Sequence, residues 1–513
     1  MIITTQGCFT GSRKVLFCLM LALVVSAQAG ASTYLDVGDE VYVLLSRLEA
    51  EGVITDALLS TKPLSRKEIV RLANDAETNA AGRSEFIKGL VATLKRRVRA
   101  DEYQAGIKRP IDSASLRYIY TTADVQTLSN PVGSHEKEQA FNYNNDGDLY
   151  KHGSNLRTGF ISRQENLGPL SFYLEPELMS SEGTEQGTLR KGYGVLGFSW
   201  IDIVAGKDSQ WWGPGYHGAI ILSNNAEPLT MLKFAGPGPQ VLPGIFKYLG
   251  PFQYDLFVTR LEKDRSDFPE PYFWGIRFDF KPHPNIEIGL ERTAILGGEG
   301  RPTNASTWLH SIFGSSEHDD SGNPGDQRAG GDVKVTLPFK RQPVQLYMEW
   351  AGEENRQANM RLPYKKANLY GLYLPRLLDF ERISLRAEYA RDDVNEQPYV
   401  WYTHGTYTAG YTYKGMVMGH HMGTQSRDLY LEVSYLMPEN GARLSFSFDR
   451  VKHDQGGAAS EIITEMMING RSMITTRIEV MASCGYATIA NPGNTAGPTQ
   501  SVKEIITAVK YFF

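Results

Sequence analysis

The chain has 513 residues, 22% of them charged, and a formal net charge of −5. So mild an acidity gives no reason to expect nucleic acid as a partner, and the length exceeds the ~250–300 residues that one soluble core usually serves. Of the three cysteines only Cys484 lies beyond the first eighteen residues, which excludes a disulfide-framed secreted domain.

Arg13 and Lys14, the apolar run Val15 to Val25 and then Ser26-Ala27-Gln28-Ala29 have the order of a secretory signal over residues 1–29. The run is too short to cross a bilayer as a helix, and no later stretch reaches the ~20 apolar residues required. Cys18 lacks the small residues that precede a lipidated cysteine. Without the leader the charge falls to −7, Cys484 is the one cysteine, and no internal disulfide is expected.

Residues 30–110 read as a helical bundle, with helix from about Tyr34 to Arg109. Val41, Leu44, Leu45 and Leu48 recur at helical spacing, as do Ile69, Leu72, Ala73 and Ala76, and then Ile87, Leu90, Val91, Leu94 and Val98. Ser65-Arg66-Lys67-Glu68 has the form of a capping box ahead of the second stripe. The basic run Lys95-Arg96-Arg97 to Arg99 is expected to be a solvated helix face.

From about 111 to the end the period changes to two. Tyr272, Trp274, Ile276, Phe278 and Phe280 alternate with Arg277, Asp279 and Lys281; Leu346, Met348 and Trp350 alternate with Gln345, Tyr347 and Glu349. The same pattern runs through Ile383 to Tyr389, Leu429 to Tyr435 and Leu444 to Phe448. It ends on the last residue, with Ile505, Thr507, Val509, Tyr511 and Phe513 opposed to Glu504 and Lys510. A strand with one greasy and one polar face meets two solvents, and many ~10-residue runs of this kind behind an export signal predict a closed all-β transmembrane barrel of 16 to 18 strands in the outer membrane. The connectors 130–153, 297–331, 392–427 and 492–500 are the long ones, expected on the outer side. Asn144 to Asp148 and Asp319 to Asn323 resemble calcium loops too loosely to be more than polar turns.

The least generic segment is Gly206-Lys207-Asp208-Ser209-Gln210-Trp211-Trp212-Gly213-Pro214-Gly215, followed by Leu222-Ser223-Asn224-Asn225. Adjacent tryptophans cannot both face lipid in a regular strand, so at least one ring packs inward or on a turn. Aromatic faces also stack on sugar rings, while Asn, Asp and Lys bond hydroxyls. Trp211, Trp212, Lys207, Asp208, Asn224 and Asn225 are therefore the candidate polysaccharide contacts, with a structural role in the wall as the alternative.

This segment, with Leu249-Gly250-Pro251-Phe252, Gly410-Tyr411 and Gly419-His420-His421-Met422-Gly423, resembles the Wzi family of capsule-assembly outer-membrane proteins. The resemblance implies an 18-stranded barrel, a periplasmic helical bundle, and lectin-like attachment of capsular polysaccharide without catalysis. It also implies that the polar row, including Arg277, Asp279, Glu349, Arg386 and Glu432, fills the interior, and that function sits on the outer loops. Partners would be capsular or extracellular polysaccharide, outer-membrane lipid and polysaccharide export machinery. No cofactor or metal is expected, His420 and His421 being read as loop or girdle residues.

Two other classes compete. A diffusion channel would have the same alternation around an open lumen. A hydrolase or acyltransferase would need a nucleophilic set; His217, Ser223 and Asn224 are neighbours, but no acid stands behind His217 in the sequence. Glu175 with Glu177, or Glu287 with Glu291, could in principle form an acid/base pair.

Overall fold

The computed structural model describes residues 30–99, 108–181, 183–313, 325–353, 366–393 and 398–513. The expected leader and the turn at 319–323 lie outside these residues.

Among the described residues, eighteen long strands close into an antiparallel barrel. In chain order they are β1 Lys108–Thr121, β2 Gly153–Leu167, β3 Leu170–Ser181, β4 Thr184–Gly197, β5 Asp202–Asp208, β6 Leu229–Ala235, β7 Pro251–Arg260, β8 Tyr272–His283 and β9 Ile286–Leu296. The second half comprises β10 Asp326–Leu337, β11 Val344–Gly352, β12 Lys366–Leu374, β13 Ile383–Arg391, β14 Ser426–Met437, β15 Ala442–His453, β16 Glu461–Met473, β17 Ile478–Ala490 and β18 Gln500–Phe512. Closure joins β1 to β18, from Ser113 opposite Phe512 to Thr121 opposite Glu504.

The period-2 pattern puts each face where its chemistry requires. Leu116, Phe172, Leu290, Leu444, Phe446, Ile468 and Val509 are exposed on the outside of the wall, whereas Arg277, Asp279, Asp332 and Glu349 are fully buried inside. A closed sheet with an apolar outer band and no free edge is an outer-membrane barrel.

Among the described residues, three helices precede β1: α1 Val41–Ala50, α2 Arg66–Asn79 and α3 Glu85–Val98. Their apolar stripes form a core drawn wholly from residues 35–98. The Ser65 side chain caps α2 by accepting from Glu68 N–H (3.2 Å), while Glu68 turns away to Arg71 (2.6 Å), so half of the expected capping box forms. The bundle sits at the barrel end that carries the short turns. Arg376 pairs with Glu51 (2.5 Å), Thr93 donates to Pro438 O (3.0 Å) and Arg97 pairs with Glu479 of β17 (2.7 Å).

Several expectations change. The chain between 51 and 65 is not helical: it runs through turns and bends, and Thr61–Lys62 pair with Trp211–Trp212. Arg97 is half-buried and paired with Glu479 of the wall instead of solvated, because the last turn of α3 abuts the barrel end. The connector expected to run to 331 ends earlier: Gly330 and Gly331 lie in β10, where a Cβ on Gly330 would stand 2.5 Å from Trp350 O. Close strand approach, not a turn, needs those glycines. The same connector holds a further helix, α4 Ala305–Phe313, whose Trp308 packs edge-on against Tyr272 outside the wall.

Candidate functional site

The tryptophan segment leaves the wall after β5 and folds into the lumen. Trp211 and Trp212 form a short antiparallel pair with Thr61 and Lys62 of the N-terminal segment, Trp212 opposite Thr61. Trp212 N–H donates to Leu222 O and Gly213 N–H to Ser60 O, both at 2.8 Å. The Trp212 ring is fully buried, 5.4 Å from Phe257; a Cβ on Gly275 of the wall would stand 2.7 Å from its Cη2. Trp211 packs with Val37 and Ala219, with the Lys62 ammonium 4.9 Å from its ring centroid. The Gly-Pro-Gly that follows is a steric requirement: Gly213 has φ 126°, and a Cβ there would meet Glu349 Oε2 at 2.5 Å.

Irregular chain at membrane depth must have its N–H groups satisfied inside the protein. The wall carboxylates do this. Glu349 accepts from Ile220 N–H (2.8 Å), Glu388 from His217 N–H (2.8 Å) and Glu287 from Ser60 N–H (2.9 Å). Basic side chains balance part of this acidic row: Lys334 pairs with Glu287 (2.7 Å), and Arg277 pairs with Asp279, Glu291 and Asp332 (2.7–2.8 Å). Residues 398–425 of the long connector before β14 also fold inward. Tyr402 OH donates to Ile220 O (2.7 Å), and Ser223 N–H donates to Met418 O (2.8 Å). The lumen is filled and cross-linked.

Above this plug, on the long-loop side, opens a cleft of about 630 Å³. It is lined by Asp146, Asp148, Arg157, Glu177, Arg190 and Lys207 together with Lys137, Glu227, Glu262, Asp264 and Lys414. Asp148 bridges Arg157 (2.6 Å) and Arg190 (2.7 Å). Burial alone would raise its carboxyl, but these two guanidiniums outweigh burial and hold it below the usual range. Burial raises Glu262 despite the nearby Arg265. The cleft thus presents fixed charges of both signs and many hydrogen-bonding groups.

Of the six candidate contacts, Lys207 alone lines this cleft, donating to Leu189 O (3.2 Å) beside Glu227 (3.5 Å). Asp208 is buried and accepts from Ser209 N–H (2.9 Å). Asn224 is buried too and donates to Asn144 O (3.0 Å) and Asp146 Oδ1 (3.1 Å). Asn225 donates to Val417 O (3.0 Å), and both tryptophans are buried. The acid that the sequence did not place behind His217 is present: Asp449 Oδ2 lies 3.1 Å from His217 Nε2. Ser223 Oγ, however, donates to Gly419 O (2.5 Å). Glu175 accepts from Tyr173 OH, while Glu177, Glu287 and Glu291 are all in ion pairs with basic residues. The Asn144 to Asp148 turn is tied to Arg190, Lys191 and Arg157.

A family model described as "Capsule assembly protein Wzi" matches residues 126–503, from the first loop hairpin to the last strand. The chain belongs to the Wzi family. A Klebsiella pneumoniae relative, described as an uncharacterized 55.8 kDa protein in the cps region, is 26% identical over 324 residues. The match covers 60% of this chain and 56% of that protein, so the chain spans little more than half the length of that relative. A solved structure of Wzi, described as an outer membrane protein involved in group 1 capsule assembly in Escherichia coli and as a carbohydrate binding β-barrel, superposes with a TM-score of 0.69. It is 19% identical, with 95% of this chain and 100% of that one covered, which establishes a shared Wzi fold.

Proposed function

We propose that this Wzi-family barrel is a non-catalytic, lectin-like protein that binds capsular or extracellular polysaccharide in its outer cleft and helps hold it on the cell surface. The observation that carries this reading is a polar cleft of about 630 Å³ at the loop end, above a filled lumen, in a capsule-assembly family member. Sugar hydroxyls are met by paired donors and acceptors, and Lys207, Lys137 and Asp264 are placed to supply them. Residues 1–29 act as the export leader, 30–110 as a periplasmic bundle and 111–513 as the barrel, with lipid around its apolar belt. Export machinery supplies the polymer. Trp211 and Trp212 serve by holding the plug that forms the cleft floor.

Deleting the gene and measuring cell-attached against shed polymer tests the role: polymer is still made but is released. Unchanged attachment overturns it. With purified protein, Lys207→Glu is expected to weaken polymer binding several-fold while the barrel stays folded. The filled lumen supports attachment over diffusion, so planar-bilayer recordings of the wild type should show little current; a large steady ohmic current would favour a channel.

A further inference from the structure

Below the cleft, His217 of the plug and His421 of the 392–425 connector converge on Asp428 of β14 and Asp449 of β15. One ligand atom from each of the four lies within 4.8 Å of every other. The His Nε2 to Asp Oδ2 separations are 3.1 Å (His217–Asp449), 3.3 Å (His421–Asp428), 3.7 Å (His217–Asp428) and 3.9 Å (His421–Asp449). Zinc bonds of ~2.0–2.1 Å in a tetrahedron put neighbouring ligand atoms about 3.4 Å apart, so the four cross-distances bracket that edge.

The atoms that converge are also those left without hydrogen bonds. Apart from their approaches to one another, His217 Nε2, both ring nitrogens of His421 and both carboxylate oxygens of Asp428 and Asp449 are buried without a hydrogen-bond partner. No arginine or lysine among the described residues pairs with either aspartate; their partners within 4.0 Å are His217, His420 and His421. Two buried carboxylates without a counter-charge are costly, and a divalent cation would remove that cost at one stroke. The rings are held in place by stacking, His217 on Tyr430 (3.8 Å between centroids) and His421 on Tyr143 (4.3 Å). A cavity of about 40 Å³ lined by Tyr143, His421 and Asp449 adjoins the cluster. The contrast with Glu138, His453 and Glu461 is instructive: there His453 Nδ1 is already hydrogen-bonded to Glu461 (2.9 Å).

We propose that His217, His421, Asp428 and Asp449 form a tetrahedral site for a divalent transition metal of the zinc class, which pins both inward-folded segments to the barrel wall. Two neutral imidazoles and two carboxylates suit such a cation better than calcium or magnesium, which favour an all-oxygen shell.

The test uses the full-length protein in detergent, stripped with a chelator, dialysed and titrated with Zn²⁺, and separately with Co²⁺. Metal analysis is expected to find one Zn²⁺ per chain, and bound Co²⁺ to give the intense visible bands of a tetrahedral centre. His421→Gln and Asp449→Asn should each lose stoichiometric binding, whereas His453→Gln should keep it, with heat-modifiable gel mobility reporting an intact barrel. No stoichiometric metal in the wild type, a weak octahedral Co²⁺ spectrum, or undiminished binding in the His421→Gln/Asp449→Asn double variant overturns the site. The wild-type stoichiometry and Co²⁺ spectrum decide the question even where a variant fails to assemble.

Discussion

The two ends of this barrel are closed in opposite ways. At the short-turn end, three helices bring a core of their own, built from residues 35–98, and meet the barrel chiefly through ion pairs and carbonyl contacts, with Ala50 at the end of α1 also reaching the plug's apolar cluster. At the loop end, the inserted segments have no such core. Trp212, Ile220, Ile221 and Leu222 pack with Phe257, Phe273, Tyr347 and Leu369 of the wall and with Tyr402 and Tyr411 of the second connector. A bundle with its own core can be loosened from the barrel and remain helical. A plug that shares its core with the wall can be removed only by damaging both, so the two closures should fail differently.

Trp212→Ala is the strongest attack on the plug. Replacing a buried Trp by Ala in a packed core costs about 3–5 kcal/mol, and here the cavity would lie among the wall residues Phe257 and Gly275 as well as the plug. The expected result is a lower unfolding midpoint for the whole barrel, measured by heat-modifiable mobility, together with a larger current in planar bilayers than the wild type gives. A variant that conducts with an unchanged midpoint would show that the plug is a separable unit after all.

Glu51→Gln attacks the other closure. Glu51 is nearly fully buried, ion-paired with Arg47 (3.0 Å) and accepting from Arg376 (2.5 Å). Removing one partner of a buried ion pair costs about 3 kcal/mol or more; here the fully buried Arg47 loses its counter-charge, while Arg376 keeps only the more distant Glu381 (3.8 Å) and Asp379 (4.0 Å). Cleavage between 51 and 65 by an added protease should quicken, while the barrel midpoint stays near the wild-type value. A fall in the barrel midpoint as large as that of Trp212→Ala would remove the distinction between the ends.

What was legible in the sequence follows the range of the forces. The period-2 alternation is a local consequence of a two-solvent wall, so Phe278, Leu346, Leu431 and Val509 could be set on the lipid side from spacing alone. The helical stripes were equally local. Pairing of Thr61 with Trp212 was not legible, because nothing in either segment encodes a partner so distant in the chain. Glycines misled at Gly330, where close packing and a turn leave the same mark in a sequence. In the candidate site, the conspicuous tryptophans proved to be buried, and the cleft side chains come from many separate parts of the chain, each unremarkable alone. His217 and His421 carried a hint in their residue type, but Asp428 and Asp449 are two acids among 58 and gain meaning only through β14–β15 pairing.

The finest test of the comparison is at Ser65, where the bundle and the barrel share one hydroxyl. Its oxygen caps α2 by accepting from Glu68 N–H, and its proton goes to Pro237 O in the turn after β6 (2.6 Å). Ser65→Ala loses both, about 1 kcal/mol for the cap and about 1 kcal/mol for the second bond. Ser65→Asp keeps an acceptor for the cap but, ionised, has no proton for Pro237 O. If the bundle stands on its own core, Ser65→Asp should recover its helical stability, read as the midpoint of the first unfolding step by far-UV circular dichroism, while protease access between 51 and 65 stays raised as in Ser65→Ala. Recovery of neither would mean that α2 draws its stability from the barrel turn, and that the bundle is a docked extension of the wall.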